Sequence, residues 1–398
     1  MGTSDVYVDS TSGVYVDEHV FDGGPPLKLQ RSLGWVKPDE PHVIRRAVAA
    51  AAIAWIPLAI MVSVQAILFN DGSAASFFTD FGVYARYLIT IPALFLAESD
   101  CIPRLEAIVR HFVTTGLIAN KDLLRYDRAV ASTRRLLNPP YGDLIAVGAA
   151  YVAVLAFSAY ISPDMVPHWQ RGGPGHYSIA GWWNFFISLP MLLILFFGWL
   201  WRLILWARFL VLVAALDLQL LPSHPDQAGG LKFVSTSLRG FRLISLGLGA
   251  VVAGTVADRV LIHGQDLLSF KMLVVGLLIF LLILFAGPLT VFVTRLRQTK
   301  IRGMFKYGSL ANRLGREFEA KWLGPDTPAS SEMLDAPDFS ATTDYYGVAA
   351  NVYEMRDVPF GAKDLISPLV PALLPFLVVA LFTIPAQVVV DSIIKLLL

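Results

Sequence analysis

The ten residues LPSHPDQAGG at 221–230 hold the densest chemistry in the chain: His224 and Asp226 flank Pro225, and Gly229 and Gly230 follow. An imidazole and a carboxylate two residues apart can share a proton, hold an ion or meet an anionic headgroup. The plainer reading is a corner in which the carboxylate takes nearby amide protons, with the glycines supplying positive φ or a close backbone approach. The His-Pro-Asp triplet also marks a soluble co-chaperone hairpin that follows a basic helix. The apolar LVLVAALDLQLL upstream excludes that reading.

Three further sets could do chemistry. Arg86 stands alone in an apolar stretch, where a charge costs at least ~2.5 kcal/mol unless it is paired or hydrated. It can snorkel to the surface, pair with Asp80, Asp258 or Asp266, or attract an anion. Pro368, Pro371 and Pro375 are three and four residues apart, so they share one helix face. Each removes a backbone hydrogen bond, and the freed carbonyls must find partners, line an ion path or open a hinge. Tyr307, Leu314, Phe318 and Trp322 recur as an apolar stripe on a charged helix, a pattern suited to binding a partner. By contrast, His168, His176 and His263, with Asp164, Asp258 and Asp266, lack the close spacing of a metal site. No phosphate loop, nucleophile elbow, zinc-protease or dinucleotide motif occurs. The sequence therefore calls for no metal, no cofactor and no soluble-enzyme chemistry.

The elements that must position these residues are membrane spans. Of 398 residues, 55% are hydrophobic and 16% charged, with the apolar residues in long blocks; a soluble domain has about 25% charged residues. Seven blocks reach the ~20 residues a spanning helix needs, near 46–69, 81–98, 142–162, 183–204, 243–262, 272–293 and 364–384. The predicted fold class is an all-α integral membrane protein of about seven transmembrane helices. Residues 1–44 read as a polar, disordered cytoplasmic tail carrying two VYVD repeats, at 6–9 and 14–17. The rest reads as a single helical membrane domain over 45–398, with a cytoplasmic helical layer at 98–140, 205–240 and 294–363.

Lys and Arg set the expected orientation. Alternate segments carry 27 on one side and four on the other, with Arg86 inside span two. The bias places the N-terminus in the cytoplasm and the C-terminus outside. Span four is expected to continue as a helix to Leu221, where Pro222 stops it, and span six to continue to Trp322. A short amphipathic helix is expected at 344–356, after a polar excursion over 324–343. Trp182 and Trp183 at one end of span four, and Trp199 and Trp201 at the other, fit two interfacial aromatic belts. Gly247, Gly249, Ala250, Ala253 and Gly254 give span five a small-residue face for close helix contact, within the bundle or between subunits. Net charge is +1, with no basic patch that would read as a nucleic-acid footprint, and the one cysteine, Cys101, excludes an intrachain disulfide.

The stretches ARYLITIPALFLAE (85–98), LDLQLLPSHPDQAGGLKF (216–233), KYGSLANRLGREFEAKW (306–322) and NVYEMRDVPF (351–360), before a Pro-rich last span, resemble a family of uncharacterised bacterial polytopic inner-membrane proteins. The resemblance covers most of 45–398. It implies a bacterial source, the same architecture and a multi-pass place in the inner membrane, and it brings no activity. The residues themselves leave two classes of function open. One is a passive, anion-favouring and homo-oligomeric channel, its pore or gate at Arg86, Pro368, Pro371 and Pro375. The other is a membrane-embedded scaffold or sensor that binds a cytoplasmic protein partner through its helical layer and tail. An enzyme on lipid headgroups, with His224 and Asp226 at the interface, is the weaker third reading.

Overall fold

The computed structural model describes residues 20–21, 23–25, 43–139, 141–160, 165–323 and 337–383. The VYVD repeats, Asp164 and residues 324–336 lie outside them. Among the described residues the fold is all-α apart from a two-stranded hairpin, Arg171–Gly173 with His176–Tyr177. Seven helices among the described residues are long and apolar enough to cross a membrane. These are α1 (Val43–Phe69), α2 (Phe81–Thr114), α4 (Gly142–Tyr160), α5 (Ile179–Ala214), α6 (Arg242–Ile262), α7 (Leu267–Trp322) and α9 (Ala362–Thr383). Two shorter helices, α3 (Leu123–Leu137) and α8 (Pro337–Glu354), pack at the end of the bundle that is rich in Lys and Arg, here called the basic end.

Small residues decide which helices touch. In α1, Ala47, Ala50, Ala51, Ala54, Leu58 and Val62 form the buried face, while Ile53, Ile56, Ile60 and Val64 face outward. That face packs on α2. Helix α6 is held between α2 and α9 by its glycine face. A Cβ on Gly249 would lie 2.2 Å from the Ala372 carbonyl oxygen, and one on Gly254 would lie 2.5 Å from Ala85 Cβ. The small-residue face therefore works within the bundle.

Prolines leave marks where the chain must absorb a missing amide. Pro92 follows a π-helical stretch, Ala85–Thr90, and Pro190 follows another, Asn184–Ser188. Pro288 lies in a 3-10 stretch, Gly287–Phe292, inside α7. The widened turn before Pro92 is closed by Thr90, whose hydroxyl lies 2.8 Å from the Ala85 carbonyl and 2.9 Å from that of Gly247 on α6. Pro368, Pro371 and Pro375, in contrast, sit within one continuous helix.

Three helices outrun a bilayer. Helix α2 has 34 residues, α5 has 36 and α7 has 56; at 1.5 Å per residue the last is about 84 Å long against a hydrocarbon core of about 30 Å. Helix α5 ends at Ala214, seven residues before the expected Leu221. The continuation is extended, and Leu218 pairs with Ile118 as an isolated bridge. The cause is tertiary. Asp122 Oδ2 accepts the Asp217 amide at 2.9 Å, Leu117 O accepts the Gln219 amide at 2.8 Å, and Arg295 Nε donates to the Ala214 carbonyl at 3.1 Å. Helix α8 runs from Pro337, longer than the expected 344–356.

At the basic end the core is aromatic. Phe112, Tyr126, Phe209 and Phe233 meet edge to face, and the Tyr126 hydroxyl donates to Val109 O at 2.6 Å. Within the 1–44 tail, expected to be disordered, a few described residues pack on the bundle. Val20 and Phe21 are buried, Phe21 at 5.7 Å from the Trp206 ring, and the Gly24 amide donates to Asn138 Oδ1 at 2.9 Å. Trp199 is also corrected from belt to core: it is buried and donates to the Leu94 carbonyl at 2.9 Å. Trp182 is half-exposed and stacks on Phe186.

Candidate functional site

The corner 221–230 is built around one carboxylate. Asp226 Oδ1 accepts the amides of Ala228 at 2.8 Å and Gly230 at 3.1 Å, and Oδ2 accepts the Lys232 amide at 3.1 Å. His224 Nδ1 lies 2.8 Å from Oδ1. Burial opposes the charge on Asp226, but the three amides and His224 outweigh it and hold the carboxyl below its ordinary range. A carboxyl held that low is a weak base near neutral pH, which weighs against the lipid-headgroup enzyme.

The glycines belong to the same design. Gly229 and Gly230 have φ of 63° and 95°. A Cβ on Gly229 would meet Met355 Cε at 3.1 Å, and one on Gly230 would meet Leu117 Cδ2 at 3.2 Å. Gln227 O accepts the Arg356 amide at 2.7 Å, joining the corner to the segment after α8. Beside the corner is a cavity of about 570 Å³, whose lining includes His111, His224, Asp226, Lys232, Arg239 and Asp364. Asp217, just upstream of the corner, pairs with Lys121 at 2.7 Å.

A second polar centre lies at the basic end inside the bundle. Arg46 Nη2 is 2.9 Å from Glu98 Oε2, and Arg202 Nη2 is 3.8 Å from Oε1. Arg202 also donates to the carbonyls of Gly23 at 2.7 Å and Pro25 at 3.4 Å, so the tail residues help to satisfy it. Arg242, at similar depth, pairs with Asp100 rather than with Glu98.

At the opposite end, Arg86 has company. Its Nη2 is 3.9 Å from Asp80 Oδ1. Asp80 Oδ1 accepts the Val83 amide at 2.9 Å, and Oδ2 accepts Trp169 Nε1–H at 2.9 Å. Asp258 on α6 accepts the amides of Phe81 at 2.7 Å and Gly82 at 3.1 Å. Two carboxylates thus cap the N-terminus of α2, where the helix dipole favours negative charge, and Arg86 balances them. Sequence spacing could not reveal the Asp258 cap, because 177 residues separate it from Phe81. Near this end, Ile60, Val64 and Leu68 with Gln65, Asp71 and Arg171 line a cavity of about 840 Å³.

The channel candidates do not converge. Pro368 O accepts the hydroxyl of Ser245 near the basic end of α6, whereas Arg86 stands by Asp258 at the other end. Thirteen helical residues separate Ser245 from Asp258, about 20 Å. Pro371 and Pro375 are partly buried on α9, beside the buried Pro368, Ala372 and Phe376.

The stripe on α7 is covered within the chain. Phe318 and Trp322 pack on Phe339 of α8 at 4.8 and 5.5 Å, and Tyr307 stacks on Tyr345 at 6.5 Å. Leu314 on the same stripe is partly buried. Among the described residues, no three His, Cys, Asp or Glu side chains gather as a metal site. No protein-family model, curated protein or solved structure matches the chain.

Proposed function

We propose that this multi-pass helical membrane protein is a membrane-embedded scaffold or sensor, working through the layer at its basic end. The observation that carries this reading is the arm made by α7 and α8. The last thirty residues of α7, Val293–Trp322, extend about 45 Å, and α8 folds back along them. Aromatic pairs stiffen the arm and leave Phe305, Leu310, Tyr346 and Tyr353 exposed on it. The Lys and Arg bias supports placing the arm in the cytoplasm, with the N-terminus inside and the C-terminus outside. The resemblance to bacterial polytopic proteins supports the inner membrane as the site.

A channel is the competing activity, and one assay separates the two. Purified protein in liposomes is expected to pass chloride and potassium no faster than empty liposomes. Flux that changes in Arg86→Ala or Pro371→Ala would overturn the scaffold reading. For the scaffold itself, a photocrosslinker placed at Phe305 or Tyr346 in living cells is expected to give a discrete adduct with one partner. A crosslinker at Ile279, on the apolar outer face of α7, should not give it.

A further inference from the structure

We propose that the cavity beside the corner is a phosphate-binding site. Its lining comes from four parts of the chain: the end of α2, the corner, the segment leading into α6, and the first turn of α9. What points to an anion is how the charged groups within it are paired. Both carboxylates are already engaged by backbone amides, Asp226 by three and Asp364 by the Gly361 amide at 2.8 Å. Lys232 and Arg239 are exposed and have no ion pair among the described residues. The cavity therefore holds two cationic side chains that no carboxylate pairs with, while both carboxylates, which keep their charge, are turned to backbone amides.

The donors are of the right kind. An Arg guanidinium matches two phosphate oxygens as a fork, and a Lys ammonium adds a point charge. His224 keeps Nε2 free to point elsewhere, because Nδ1 faces Asp226. His111 is held edge-on against Phe233, with ring centres 4.4 Å apart, which fixes a second imidazole at the rim. The hydroxyls of Thr115 and Thr236 donate to the carbonyls of His111 and Phe233, so binding falls to the nitrogen donors.

The location allows two sources of phosphate. Arg239 lies three residues before α6 and Asp364 in the first turn of α9, so the floor of the cavity is level with the entry of both helices into the apolar layer. His111 stands in the last turn of α2, farther from that layer. A phosphate on a lipid headgroup can reach the floor from the membrane, and a free phosphate can enter from the aqueous side. The recognised chemistry is the same.

The test uses the full chain, purified in a neutral detergent. Binding of inorganic phosphate and of short-chain phosphatidic acid is measured by calorimetry, with short-chain phosphatidylcholine as a lipid whose headgroup charge is balanced. The wild type is expected to bind phosphate or phosphatidic acid at least tenfold more tightly than the Lys232→Gln/Arg239→Gln double variant. Lys232→Glu alone should abolish binding, and its side chain can change without touching the amide that Asp226 holds. Lys321→Gln, on the distal arm, should bind as the wild type does. Phosphatidic acid alone binding assigns the site to lipid; inorganic phosphate alone binding assigns it to a soluble anion; either supports the site. No binding of either probe, or equal binding by wild type and double variant, overturns the proposal.

Discussion

Gly249→Ala is the sharpest perturbation of this fold. The added methyl would lie 2.2 Å from Ala372 O, 2.7 Å from Ala372 Cα and 2.8 Å from its carbonyl carbon. Ordinary contact begins near 3.5 Å, so α6 and α9 must separate by about 1 Å along much of their interface. Overpacking of this kind costs about 1–3 kcal/mol. Gly276→Ala on α7 is the control, because a Cβ there meets nothing within 4 Å; it should gain up to about 1 kcal/mol from helix propensity. The two variants should therefore differ by about 2 kcal/mol, roughly thirtyfold in the folded-to-unfolded ratio. The assay is unfolding of the purified protein in mixed micelles of increasing sodium dodecyl sulfate, followed by tryptophan fluorescence. A second-site test separates clash from chance. Ala372→Gly should not rescue Gly249→Ala, because the obstructing atoms are backbone. Ala85→Gly should partly rescue Gly254→Ala, whose nearest obstruction is the Ala85 methyl at 2.5 Å. Equal midpoints for Gly249→Ala and Gly276→Ala, or rescue by Ala372→Gly, would refute the packing argument.

Three other outcomes follow from the buried polar groups and the docked tail. Glu98→Gln should destabilise by about 3–5 kcal/mol, because it leaves the Arg46 and Arg202 charges without their carboxylate; the same micelle titration reads it. Asp226→Asn should cost about 2 kcal/mol as charge-assisted bonds become neutral ones. The Asp226 carboxyl is held below its ordinary value, so its contribution is present above about pH 4 and is lost as the pH falls through the lower folded value. The wild type should thus lose stability in acid more steeply than the Asn variant, and a variant with the same acid slope would count against the corner as drawn. Phe21→Ala should release the docked tail segment and change the emission of Trp206, which the Phe21 ring touches edge to face; an unchanged spectrum would mean that the segment does not rest there in solution.

Hydropathy made the spans legible, because a bilayer imposes a length and a polarity that few other folds satisfy. Helix α7 was equally open to reading, since its apolar stripe on a charged helix continues past the span. What periodicity could not supply was the occupant of that stripe, α8, which returns from beyond residue 336. It also misplaced the end of α5. The run LVLVAALDLQLL is apolar throughout, but past Ala214 it changes to a period of two, Leu216, Leu218 and Leu220 alternating with Asp217 and Gln219, and Asp122, Leu117 and Arg295 hold the backbone groups of that extended stretch. Val20 and Phe21 gave little signal, being two apolar residues in a polar tail. Their burial depends on Trp206 and Phe209, far along the chain.

The corner shows most clearly where such reading stops. His224, Asp226, Gly229 and Gly230 could be singled out because proline, glycine and a carboxylate at those spacings make a turn, and the turn is what the structure contains. The carboxylate's task is set by local amides, and local amides are set by local sequence. The cavity beside it is not local. His111, Arg239 and Asp364 reach it from α2, the segment before α6 and α9, and no spacing in the chain records that meeting. A turn that looked like a binding motif is the rigid wall of a pocket, and the charges able to bind belong to Lys232 and Arg239, which looked like ordinary surface residues. Rigidity and recognition are thus divided between neighbours. Fixing Asp226 on three amides keeps its oxygens on the backbone rather than on Lys232 or Arg239, and that arrangement leaves the cations beside it available to an anion.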